Sequence, residues 1–217
     1  MKGDVIVVEE YHRQAARSLI PKLSVAIVTT NRPITISVAG ESGSGKSELA
    51  KAIAEEFAEQ DILFLILGQD DYFRLPPKSN DRRRREDPTW LGPQAEVNLA
   101  LLDDHLRLVK EGAAKIEKPL ISYNEDKVEN VEVDLSGVKG VIAEGTYTSL
   151  LREADIRIFI LRNRVETLEH RTKRNRGNEV GDPFIEDVLK IEHKIIAGHQ
   201  NLADFLISKD FQLIGSD

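Results

Sequence analysis

The chain contains no cysteine, which rules out disulfides, a thiolate nucleophile and cysteine-ligated zinc. Its five histidines (His12, His105, His170, His193 and His199) form no HxxxH or HExxH pair, the spacing that sets two imidazoles on one helical face around a metal. No apolar run comes near the roughly 20 residues needed to span a bilayer, and Met1–Glu10 lacks a basic stretch followed by an apolar one, so neither a membrane partner nor a signal peptide is expected. Basic charge is also short. The 30 lysines and arginines face 37 aspartates and glutamates for a net charge of −7, so a general nucleic-acid surface is not expected and a cationic site must be local. The cytoplasm is the expected compartment.

What is present suits one medium α/β domain with a substantial core, at 217 residues, 41% hydrophobic and 31% charged. Residues 1–33 read as an N-terminal helical extension. Ala15, Leu19, Leu23 and Ile27 recur every four residues, with a break expected near Pro21 and packing over one sheet edge. The main α/β domain follows at 34–217. Buried-type strands are expected at Ile34–Ala39, Ile62–Leu67, Val138–Ala143, Ile156–Leu161 and Ala203–Ser208. Helices are expected at Lys46–Glu59, Val97–Gly112, Val165–Arg174 and Pro183–Gly198, and extended pieces at Lys115–Val133 around a turn at Asn124–Asp126. Strands alternating with helices predict a three-layer α/β fold around a mostly parallel five-stranded sheet. The charged stretch Gln69–Pro93 is too long for a simple connection and reads as a functional loop.

The strongest motif is Gly40-Glu41-Ser42-Gly43-Ser44-Gly45-Lys46-Ser47, a full G-x-x-x-x-G-K-[ST] match between a strand and a helix. Its glycines allow a tight turn that brings backbone N–H groups onto phosphate oxygens, and the helix start adds its positive dipole end. Lys46 can reach the β- and γ-phosphates of ATP, and the Ser47 hydroxyl can coordinate Mg²⁺. At the end of the second strand stands Gln69-Asp70-Asp71-Tyr72-Phe73-Arg74. A carboxylate there can orient an acceptor hydroxyl and take its proton, or merely cap a turn. The apolar run ending in Glu144-Gly145 either places a carboxylate beside the metal or simply ends a strand. His170–Gly177 holds Arg171 and Arg174 on one helical face, either a cationic lid over the transferring phosphoryl group (residues 171–182) or a solvated helix end. Arg82–Arg85 reads as a solvated loop, or as the holder of an anionic acceptor through one or two of its members, Arg83 and Arg84 foremost. Trp90 is a base-stacking residue or a loop anchor.

Taken together, these pieces resemble the uridine kinase/phosphoribulokinase family. Further likenesses are Val109-Lys110-Glu111-Gly112, Pro119 shortly after it, and Ala203-Asp204-Phe205-Leu206-Ile207, so the likeness runs from Ile34 to Ser208. The resemblance implies phosphoryl transfer from ATP with Mg²⁺ to a small-molecule alcohol, first of all a nucleoside. A sugar, sugar phosphate or pantothenate-type acceptor is the alternative of the same fold, and an NTP-hydrolysing switch the alternative of another class. Lys46, Asp70 and Arg174 would be catalytic, and Ser47 and Glu144 would serve the metal. Gly40 to Ser47, Arg171 and Arg174 would hold the nucleotide, with Asp70, Tyr72, Arg83, Tyr123 and Arg171 at the acceptor. Homo-oligomerisation is left open. The sequence departs from the family where a pyrimidine base would be gripped: Ile121 replaces a usual tyrosine, and Asp126 stands where a histidine is sought.

Overall fold

The computed structural model describes residues 6–122, 125–163, 165–167 and 182–215. Strand β1 (Ile34–Gly40) is buried at every position, as its run of β-branched residues requires of a strand covered on both faces. It pairs in parallel with β5 (Val138–Gly145) on one side and β6 (Ile156–Ile160) on the other. The sheet order is β2-β5-β1-β6-β7-β8, with β2 spanning Leu63–Gly68, β7 Phe205–Ile207 and β8 Leu213–Ile214. Among the described residues five strands run parallel, as the sequence predicts. The sixth, β8, runs antiparallel to β7 and corrects the expected count. It has two residues and follows a turn at Phe211 with φ 59°, too short to leave a periodic signal.

Helices cover both faces. On one, α1 (Glu10–Thr29) and α2 (Lys46–Ala58) share a cluster with Ile34, Ile36, Val38, Ile158, Ile160 and Phe211. On the other, α4 (Leu99–Lys110) and α5 (Pro183–Ile196) pack against Leu67, Val141, Ala143 and Phe159. Helix α1 differs from its expected form twice. It runs unbroken through Pro21, because Leu19 and Leu23 on either side are both fully buried in the same cluster, and this packing offsets the lost backbone hydrogen bond. It also lies beside α2 on a sheet face, tied there by Arg13–Glu55 (2.7 Å) and Arg17–Glu56 (3.0 Å). Among the described residues no helix is long and apolar enough to cross a membrane.

The stretch 69–93 is not one loop. A 3₁₀ turn at Gln69–Tyr72 leads to α3 (Pro77–Glu86) and a second turn at Pro88–Trp90. Proline at the first helical position suits α3, and its open amides are capped from a distant element: the Asp126 carboxylate accepts from Lys78 N (2.7 Å) and from the Ser79 hydroxyl (2.8 Å). Asp126 sits in the turn of the β3–β4 hairpin (Lys115–Ser122 and Lys127–Asp134). The hairpin is anchored in turn by Asp71, which accepts from Lys118 Nζ (2.6 Å) and from Ile121 N (3.1 Å).

Candidate active site

The carboxyl ends of β1, β2 and β5 open into one cleft of about 230 Å³, the edge where ligands of open α/β sheets bind. Ser42, Gly43, Lys46 and Ser47 form one wall, Gln69, Asp70 and Glu144–Tyr147 the floor, and Phe73, Asn80, Arg84 and Ile121 the far side. Helix α5 closes it with Val188, Leu189 and Glu192.

The phosphate loop depends on Gly45, whose φ of 96° is left-handed and whose added Cβ would stand 2.5 Å from the Phe211 ring. The loop is clipped to α5 at two consecutive positions: the Ser42 hydroxyl donates to Glu192 (2.8 Å), and Glu41 Oε1 lies 2.6 Å from His193 Nδ1. Lys46 arches over it and donates to the Glu41 carbonyl (2.8 Å). Gly145 lets two strand ends meet, since a Cβ there would overlap Gln69, whose side-chain oxygen accepts from Tyr147 N (2.8 Å). That close approach brings Asp70 from the end of β2 near Glu144 from the end of β5. Burial, then the Asp70 charge, pushes Glu144 up to about 7, against the opposing pull of Lys46 and a hydrogen bond with Ser47. An ammonium, helix-start amides, a hydroxyl and carboxylates are the donor set that a nucleotide's phosphates and Mg²⁺ call for, hard oxygens around the cation and N–H groups around the anion.

The far side rests on Glu96, fully buried at 0% exposure. It accepts from Arg84 Nε (2.7 Å), Asn80 Nδ2 (3.3 Å) and Gly92 N (3.0 Å), with the Tyr147 hydroxyl at 3.5 Å. Burial opposes the charge on Arg84, but Glu96 outweighs it and raises its pKa. Burial raises Glu192, against Arg84, Ser42 and Lys46.

The structure thus gathers Lys46, Ser47, Asp70 and Glu144 in one cleft. Two expected acceptor residues stand elsewhere. Tyr72 is buried, with its hydroxyl 2.8 Å from His105 Nδ1, because α4 offers that partner beneath the turn. Arg83 is exposed, pairs with Asp87 (3.1 Å) and lies over the Trp90 ring. The arginine run is helical, so consecutive side chains point about 100° apart. Arg84 enters the cleft, Arg85 bonds Asp182 at the start of α5 (2.7 Å), and Arg82 is exposed. Trp90 anchors the turn, donating to Asn80 (2.7 Å). Tyr123, Arg171 and Arg174 lie outside the described residues. Sequence reasoning named Arg84 only together with Arg83, and missed Glu96, Tyr147 and Glu192. The helical period of Pro77–Glu86 could have singled out Arg84; Glu192 left no signal beyond its place on an amphipathic helix.

Comparison with known proteins agrees with this geometry. The model of the "Phosphoribulokinase / Uridine kinase family" matches residues 35–178. The bifunctional alpha-galactosidase/sucrose kinase AgaSK of Mediterraneibacter gnavus is 29% identical over 188 residues, covering 82% of this chain and 20% of that protein. The chain therefore spans about a fifth of that relative's length. A uridine kinase of Bacillus mycoides (strain KBAB4) is 27% identical over 199 residues, covering 84% of this chain and 89% of its own. Phosphoribulokinase from Rhodobacter spheroides superposes with a TM-score of 0.60 at 16% identity, over 82% of this chain and 70% of that one. With two thirds of its length matched by the family's model and the family's nucleotide loop at the head of its central strand, the chain belongs to the phosphoribulokinase/uridine kinase family of P-loop kinases.

Proposed function

We propose that the protein transfers the γ-phosphoryl group of ATP to a hydroxyl of a small polyhydroxy molecule, and that the acceptor is a sugar in preference to a pyrimidine nucleoside. The observation that carries the reading is the meeting of Lys46 and Ser47 with Asp70 and Glu144 in one cleft. ATP supplies the phosphoryl group, and Mg²⁺ neutralises charge on its oxygens. Lys46 and the amides at the start of α2 hold the phosphates, while Ser47 and Glu144 serve the cation. Asp70 accepts the proton of the acceptor hydroxyl as that oxygen bonds to phosphorus. The lid arginines Arg171 and Arg174 offset the charge that spreads over the transferring oxygens.

The sugar preference rests on the cleft's far side. Ile121 lines it where uridine kinases are expected to carry a tyrosine, and Tyr72 is turned into the core. The sucrose kinase named above is the relative that points the same way. The test is Asp70→Asn in an ADP-release assay against nucleosides, sugars and sugar phosphates. Loss of a general base should lower kcat by about 10²- to 10⁴-fold, with the KM for ATP changed little. Full activity of Asp70→Asn would remove it from that role, and ADP release unaffected by any acceptor would favour the NTP-hydrolysing alternative.

A further inference from the structure

Glu192 and Arg84 reach the same cleft from opposite elements, α5 and α3, and both are largely enclosed. Each is held by one of its polar atoms only. Glu192 Oε2 accepts from Ser42, and Arg84 donates from Nε to Glu96. Among the described residues, Glu192 Oε1 and the two terminal nitrogens of Arg84 have no hydrogen bond, and none joins the two side chains to each other. The cleft therefore presents a carboxylate oxygen that needs a donor and guanidinium N–H groups that need acceptors.

A phosphate or carboxylate could satisfy only the second of these. It would add negative charge beside Glu192 and behind a guanidinium whose charge Glu96 already balances at 2.7 Å. Among the described residues lining the cleft, Lys46 is the other cation, and it belongs to the phosphate loop. An uncharged vicinal diol satisfies both sides at once: its O–H groups donate to the carboxylate, and their lone pairs accept from the guanidinium. The Phe73 ring lines the same wall, with the Arg84 guanidinium carbon 5.7 Å from its centre, so the ring adds apolar surface beside the guanidinium.

We propose that Arg84 and Glu192 form a clamp for an uncharged vicinal diol, which selects neutral sugars as acceptors and rejects their phosphorylated or carboxylated counterparts. This rests on the reading that the cleft takes a hydroxyl acceptor for phosphoryl transfer. It replaces the idea that the arginine run recognises an anionic acceptor, because the one arginine that enters the cleft is already neutralised.

The test pairs each neutral acceptor with its anionic form in the ADP-release assay: fructose with fructose 6-phosphate, ribose with ribose 5-phosphate, glycerol with glycerate, together with sucrose and uridine. The parent should use at least one neutral diol with a kcat/KM well above that for an anionic partner. Glu192→Gln keeps shape and a hydrogen bond to Ser42, and Arg84→Lys keeps the charge beside Glu96, so both should fold. Each should raise the KM of the neutral acceptor by about tenfold or more, the loss of one hydrogen bond to a charged group, while the KM for ATP stays within about twofold. Glu192→Gln should also narrow the preference over the anionic partner. A parent that prefers the phosphorylated or carboxylated acceptor overturns the clamp, as do variants whose acceptor KM is unchanged. Asp70→Asn separates the two readings: if the parent selects neutral diols and Asp70→Asn keeps full turnover, the clamp stands and the assigned base falls. No response to any acceptor in the panel defeats both.

Discussion

Replacing Glu96 by alanine should destabilise the protein and loosen the proposed acceptor site together. The carboxylate is fully buried and accepts three hydrogen bonds within 3.3 Å, from Arg84, Asn80 and Gly92. Removing it leaves the Arg84 guanidinium, only 15% exposed, without its partner. Breaking a buried ion pair costs about 3–5 kcal/mol, and the residual exposure of Arg84 places the loss near the lower end, about 3 kcal/mol. For a chain of this size each kcal/mol moves Tm by about 2–4 °C, so a fall of roughly 6–12 °C is expected. Glu96→Gln tests the charge separately. Both carboxylate oxygens accept from N–H groups, so one side of any amide placed there must face a donor; its loss should come close to that of alanine. The assay is urea unfolding of parent, Glu96→Ala, Glu96→Gln and the double variant Glu96→Ala/Arg84→Met. The double variant should recover much of the loss, because an uncompensated charge is then no longer buried. A Glu96→Ala shift under about 1 kcal/mol, or a double variant worse than the sum of its parts, would refute this account of the far wall.

Three other outcomes follow from particular contacts. Gly45→Ala forces a left-handed φ of 96° on a side chain that meets Phe211, so nucleotide affinity should fall by tenfold or more, about 1.4 kcal/mol for each factor of ten, as read by calorimetry with an ATP analogue. Leu19→Ala, at a fully buried position of α1, should cost about 2–5 kcal/mol in urea unfolding; a cost under about 1 kcal/mol would mean that α1 is not part of the core. Asp155 is opposed by burial, but hydrogen bonds from Arg32 and Thr35 and the charge of Lys110 hold it down to about 2. A depressed carboxyl contributes stability that is fully present above its unfolded pKa, about 4, and that is lost as pH falls toward 2. The stability gap between parent and Asp155→Asn should therefore be constant at neutral pH and shrink between about pH 4 and pH 2; a gap independent of pH across that window would contradict the assignment.

How far the sequence carried the reading depends on the range of each interaction. The nucleotide loop is local: eight consecutive residues, a β-branched strand before them and a helix after them specify their own geometry, and Gly40 to Ser47 form the turn their spacing requires. The parallel strands were equally legible, because strands buried on both faces are uniformly apolar. Helix α3 was not. Its ten residues carry little apolar patterning, and they are held by a proline start and by the Asp126 carboxylate reaching across from the hairpin turn. Composition therefore suggested a loop, and a loop cannot say which of four arginines points inward.

The sequence by itself determined the phosphate-binding chemistry, the α/β class and the family, since each is written in residues close together along the chain. Only the tertiary structure decided what lines the far side of the cleft. Arg84, Glu96, Tyr147 and Glu192 come from four separate stretches, and what each can do follows from its partners: Arg84 is neutralised by Glu96, Glu192 is aimed by Ser42, and Tyr72 is withdrawn by His105. Charge balance inside a cleft is a property of distance, and chain order does not encode distance between such remote positions.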